Sequence, residues 1–205
     1  GDVTQLNSLS KEPYRFGDDW ARIHGQRIGF AVVDALARNQ PDTFETLKCA
    51  EATLMLDYRP FSAKRYQETV AALNAQAAGD EKTKPPRFAR DIILLRYKQK
   101  IQPKIPCRIG AAQIGNTLIL TNQMECFAAV GMEIKTRSPF EHTIVSEITN
   151  GHRGYLPTPD VFGPNGGGYE CLLTGGNYLE KEAARKLTEA TVTLAERFQP
   201  EKIAV

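Results

Sequence analysis

A chain of 205 residues, 41% hydrophobic and 24% charged, can bury a core without staples and is too apolar to stay disordered. Lys and Arg number 26 against 24 Asp and Glu, so the formal charge of +2 supplies no basic footprint for nucleic acid. No apolar run approaches the length of a membrane span, so no transmembrane segment is expected. The chain opens at Gly1 and not at Met, which reads as a processed or cut start, or as a missing portion.

Residues 1–17 read as loop. Asp18 or Asp19 can cap a helix from Trp20 to about Arg38, with Trp20, Ile23, Phe30 and Ala31 roughly along one face. Residues 47–58 alternate as a strand does, and Pro60-Phe61 turns the chain. Ser62 caps a second helix from about Ala63 to Ala78, with Tyr66, Val70 and Leu73 inward. A polar loop at 79–87 leads to a helix over Phe88 to Lys100. Strands at Ile105–Gln113 and Thr117–Thr121 flank a Gly115-Asn116 turn. From Glu125 to Thr136 the spacing predicts a helix with Phe127, Val130 and Ile134 on one stripe. A strand follows at 143–149, then a long Gly- and Pro-rich loop. The closing helix spans about Leu179 to Phe198, with Leu187, Thr191, Leu194 and Phe198 inward. Helices and strands alternate, and the hairpin argues against a purely parallel sheet. The fold class is therefore α/β (α+β), a mixed sheet flanked by helices.

Cys49, Cys107, Cys126 and Cys171 form no CxxC clip, which excludes a zinc ribbon or a thioredoxin-like motif. Their even count permits two disulfides, but small buried apolar residues are the favoured reading. His24, His142 and His152 make no local metal motif.

Chemistry can sit in three places. In the opening Gly1-Asp2-Val3-Thr4, a tight turn would present the Thr4 hydroxyl, which needs an activating base or metal. Glu125 stands where a strand ends, the edge at which open α/β sheets gather ligands, although a helix dipole alone also favours a carboxylate there. The segment from Asn150 to Glu170 is long for a compact domain and is not a Walker A loop. Within it His152 is a candidate base, Arg153 a candidate anion binder, and Tyr155 and Tyr169 flank the glycines; all four also read as ordinary loop residues.

At these places the chain resembles the neutral/alkaline (non-lysosomal) ceramidase family. Gly1-Asp2-Val3-Thr4-Gln5-Leu6 resembles the family's GDVSPN. The strand TLILT leads to Glu125 in QMECFAAVG, like the family's PGE motif, with Gly131 at the matching offset. Asn150 to Thr158 is similar to an NxYxxYxxT motif, and Tyr169-Glu170 to a following YE pair. The match looks closer to short bacterial relatives of unknown substrate than to authenticated ceramidases. Thr4 replaces the family's Ser, Gln5-Leu6 its Pro-Asn, and Gln123-Met124 its Pro-Gly.

The resemblance implies a zinc-dependent hydrolase cleaving an amide (N-acyl) bond in a lipid-like or other small substrate. Residues 1–205 would be the C-terminal portion of a single catalytic domain, inactive alone. Zinc would be held by Glu125, Tyr155 and two His upstream of this chain, since none of His24, His142 or His152 matches the family's ligands. Thr4 would take the nucleophile's place, or zinc-bound water would attack directly, and Tyr169 would contact the substrate amide. Members are often secreted or face outward, so an extracytoplasmic setting is implied. The alternatives are a catalytically inactive ceramidase-like binding protein and a same-fold hydrolase of a non-lipid substrate.

Overall fold

The computed structural model describes residues 17–39, 43–163 and 167–200, in two compact units: a small one up to Glu45 and a larger one from Thr46 onward. The small unit contains α1, Asp18–Arg38. Gly17, at φ 98°, precedes it and accepts from the Trp20 and Ala21 amides, so the cap falls on Gly17 and not on Asp18 or Asp19. Those two carboxylates instead sit in the first turn, where the helix dipole favours them. Trp20 packs edge-on against His24 at 4.9 Å. The expected inward stripe does not form: no residue of α1 is buried, and Phe30 and Ala31 are exposed.

In the larger unit the sheet order is β1-β2-β3-β5. The strands are β1, Leu47–Leu56; β2, Ile105–Ile114; β3, Thr117–Asn122; and β5, His142–Ser146. The first two pairings are antiparallel, with Leu47 opposite Ile114 and Ile114 opposite Thr117. The last is parallel, with Thr117 opposite His142, so the sheet is mixed as its hairpin predicts. Gly115 supplies the positive φ, 54°, that the hairpin turn requires.

Strict alternation along β2 puts Ile105, Cys107, Ile109, Ala111 and Gln113 on the buried face, joined by Leu118 and Leu120 of β3. Against this face lies α5, Ala183–Ala195, which buries Leu187, Thr191 and Leu194. Each fully buried Leu contributes about 1.5–3 kcal/mol, so this layer carries much of the unit's stability. Two further helices, α2 (Ala63–Ala77) and α3 (Ala89–Ile101), pack on each other. The Ser62 hydroxyl caps α2 by accepting from the Arg65 amide, and Tyr66, Val70 and Leu73 are half-buried. Cys107 and Cys126 are buried, as small apolar residues are, whereas Cys49 is exposed.

Several boundaries differ from expectation. The helix expected from Glu125 is α4, Ala128–Arg137, and Glu125–Cys126 is a short strand, β4. The Glu125 and Phe127 amides donate to Gly154 and Leu156 carbonyls, which takes them out of the helix ladder. Their partner strand is β6, Tyr155–Leu156, inside the segment read as pure loop. That segment also holds two 3-10 turns, Pro159–Phe162 and Tyr169–Cys171. β5 stops at Ser146 because Ile148 and Asn150 adopt φ of 53° and 58°, left-handed values that end a strand. At the C-terminal side, Leu179 bridges Tyr58 and the Glu180 amide donates to Asp57, so α5 starts four residues later than its pattern suggests.

Candidate active site

β1, β3 and β5 run in the same direction, and their C-terminal ends open one edge of the sheet. Just past that edge, β4 and β6 pair in parallel with Glu125 directly opposite Tyr155. Opposed residues of a ladder project to the same face, so the carboxylate and the phenol become neighbours although 30 positions separate them in sequence. Hydrogen bonding toward the neighbouring Glu125 carboxylate, then burial, then the charges of Glu125 and Glu170 raise the Tyr155 pKa from its usual value. The phenol therefore stays protonated at neutral pH and remains a donor.

Two more side chains converge. His152 Nε2 lies 2.8 Å from Glu125 Oε1, with the imidazole half exposed and the carboxylate more shielded. Tyr169 meets the Tyr155 ring edge-on at 6.0 Å, its carbonyl held at 2.8 Å by the Asn177 side-chain amide. The structure thus brings Glu125, Tyr155, Tyr169 and His152 together. Thr4 lies outside the described residues. His142 is exposed at the start of β5. Composition offered no reason to prefer His152 over any other loop imidazole; its only signal was its place in the Asn150–Glu170 segment.

Gln123 holds these parts in place and had no assigned role in the sequence beyond marking a departure from Pro-Gly. Its side chain is buried; Oε1 accepts from the Arg108 amide at 2.9 Å and Nε2 donates to the Asn150 carbonyl at 2.8 Å. Its own carbonyl accepts from the Arg153 amide at 2.8 Å. On either side, Asn122 and Met124 carbonyls accept from the Thr149 and Ile148 amides. Residues 122–124 therefore grip the turn that delivers His152, and this grip sustains the two left-handed residues Ile148 and Asn150.

Gly154 is the other fixed point. Its φ is 94°, and a Cβ there would stand 2.0 Å from the Gly176 carbonyl oxygen. Only glycine allows this crossing, at which the Gly154 carbonyl accepts from Glu125 while the Tyr155 amide donates to Gly176. Beside the His152 contact, a cavity of about 560 Å³ is lined by Arg108, Gln123, Asn150, His152 and Arg153 among others. Arg153, read from sequence as an anion binder, faces this cavity, and its Nε is buried with no hydrogen-bond partner among the described residues.

The donor set is one carboxylate, one phenol and one imidazole that touches the carboxylate. Of these, the carboxylate and the imidazole are common metal-ligand types. An imidazole bonded to a ligating carboxylate is a common means of orienting it. Among the described residues no group of three or more His, Cys, Asp and Glu is disposed to hold a metal. No described helix is long and apolar enough to cross a membrane.

No family model matches the chain, and no curated protein sequence matches it. Among solved structures, the crystal structure of neutral ceramidase from Pseudomonas aeruginosa is similar, with a TM-score of 0.53 and 14% sequence identity. The match covers 97% of this chain and 36% of that protein, so this chain spans little more than a third of its structural relative. The likeness is one of fold: this mixed sheet with its helices is an α/β architecture shared with a segment of a ceramidase.

Proposed function

We propose that this chain contributes half of the active site of a ceramidase-like zinc hydrolase that cleaves an amide (N-acyl) bond. The observation that carries the reading is the register of β4 on β6, which sets Glu125 against Tyr155, with Tyr169 stacked edge-on behind. Glu125 and Tyr155 would hold zinc, with the remaining donors supplied by the rest of the holoprotein. When bound, the metal would supply Lewis acidity toward a carbonyl and a water acidified for attack. His152 orients the Glu125 carboxylate, and it is the group placed to carry a proton at its exposed edge. The Tyr169 hydroxyl would donate to the substrate's carbonyl oxygen as charge develops there. Thr4 would bring a hydroxyl to the same centre.

The walls of the adjoining cavity support a small polar acyl amide over a long-chain lipid. Arg108, Arg153, Gln123 and Asn150 offer charge and hydrogen bonds where a sphingoid chain would need apolar surface. A catalytically inactive binding protein is the second reading. It is favoured by the Glu125 carboxylate being already engaged by both His152 and Tyr155.

Metal content and N-acyl hydrolysis of the natural full-length protein test both readings. Stoichiometric zinc that falls on Glu125→Ala with Tyr155→Phe, together with turnover of short N-acyl substrates, supports the hydrolase. Zinc retained in full by that double variant would sink the metal assignment. Zinc without turnover of any N-acyl substrate would favour the binding protein.

A further inference from the structure

A second cavity, about 420 Å³, opens where the start of α2, the start of α3 and the turn after Tyr169 meet. Its charged lining is Arg59, Arg65 and Arg87, and among the described residues no carboxylate lines it. Arg59 is buried. It donates from Nε to the Leu179 carbonyl at 3.2 Å, from Nη2 to Asn177 at 2.8 Å and from Nη1 to Cys171. Its face stacks on Phe162 at 4.8 Å. Among the described residues, no Asp or Glu forms an ion pair with any of these three arginines. Glu170, the acid nearest in sequence to Cys171, bears on Tyr155 and Cys171 and does not line the cavity.

A buried guanidinium held only by neutral carbonyls keeps its full positive charge, and burying it is costly unless an anion answers it. Burial is the main reason that the Arg59 pKa falls from its usual value; Cys171 raises it and the like charge of Arg65 lowers it further. Two exposed arginines are thus added beside a cation already short of a counter-charge. Phe88, between Arg87 and α3, holds a left-handed φ of 64°, which is strained for a bulky residue. That conformation places Phe88 in the cavity wall, with the Arg87 guanidinium 4.7 Å over its ring. The remaining wall, Leu172 and Leu173, is apolar.

We propose that this cavity is a binding site for an oxyanion, a phosphate or similar group, with Arg65 and Arg87 as its clamps and Arg59 as its fixed base. Guanidinium forks match phosphate oxygens two at a time, which suits this cluster better than a simple point-charge attraction. The apolar wall fits an oxyanion carried on a small aromatic or aliphatic body. The site goes beyond the hydrolase reading and stands without it, although Arg59 ties it to the turn that carries Tyr169.

Calorimetric titration of the full chain with inorganic phosphate and with phenyl phosphate tests this. Both probes are expected to bind, and Arg65→Gln with Arg87→Gln to weaken each by about tenfold or more. Both residues are exposed, so the variant should unfold at the wild-type temperature when no anion is present. Phenyl phosphate binding much more tightly than phosphate would identify an organic phosphate as the ligand type; equal affinities would identify the free oxyanion. No binding of either probe, or binding unchanged in the double variant, would overturn the proposal.

Discussion

Replacing Gly154 with Ala tests the architecture of the site at one atom. The new Cβ would stand 2.0 Å from the Gly176 oxygen and 3.0 Å from its carbon, whereas ordinary contact begins near 3.4 Å. Neither atom is the end of a flexible side chain, so the backbone must separate by more than an ångström. That movement breaks the Tyr155–Gly176 hydrogen bond, which costs about 1 kcal/mol. The left-handed φ adds about 1 kcal/mol for any residue with a Cβ, and the overpacking about 1–3 kcal/mol. The expected loss is therefore about 3–5 kcal/mol, or roughly 10 °C in the melting temperature of a unit this size. Urea and thermal unfolding measure it, with Gly163→Ala as the control. Gly163 has φ −70° and its nearest neighbour at 3.6 Å, so its substitution should cost under about 0.5 kcal/mol. A Gly154→Ala loss no larger than the control's would refute the crossing as described.

Gly131 should behave in the opposite sense: it sits inside α4 with open space where its Cβ would be, so Gly131→Ala is expected to stabilise by about 0.5–1 kcal/mol in the same unfolding assay. The Tyr155 phenol, raised first by its bond to Glu125, should ionise above the usual 10.0. Its neutral form is the favoured one, so the stability it contributes is present below the unfolded-state pKa and is lost as pH rises through the folded one. A tyrosinate absorbance titration of wild type minus Tyr155→Phe should show this late ionisation, and Glu125→Gln should move it down. Burial pushes the Cys107 thiol to about 11 and the Cys126 thiol to about 12, so at pH near 8 a disulfide reagent should modify exposed Cys49 quickly and these two only on unfolding. Prompt labelling of all the thiols in the native protein would contradict the burial assigned to them.

The main elements were legible because period is a local property. The alternation of β2, the Ser62 cap and the α5 stripe each sit within one window of sequence, and each appears where its pattern predicts. The Phe30 stripe of α1 misleads, since helical spacing of apolar residues does not by itself bury them, and no residue of α1 is buried. β4 and β6 were not legible. Two residues carry no period, and their strand character comes entirely from each other, across an intervening helix and strand. The motif resemblance chose Glu125, Tyr155 and Tyr169, and the fold makes them neighbours. It passed over His152, whose partner is settled by a turn geometry that spacing does not encode. Gln123 was invisible for a similar reason, because a side chain that bonds to distant backbone leaves no mark on hydropathy.

The parallel β4–β6 pair also bears on how the site comes apart. The ladder is only two residues long on each strand, too short to hold the pair together in water by itself. It is reinforced by the buried Gln123 amide, which lies outside the ladder, and by the Gly154 crossing, which ties the start of the ladder to Gly176. The opening of the site is therefore a separate, cheaper event than the melting of the main sheet. The Glu125 and Phe127 amides should exchange with solvent deuterium well before those of β2 and β3, and a ligand that bridges Glu125 and Tyr155 would slow those two amides selectively.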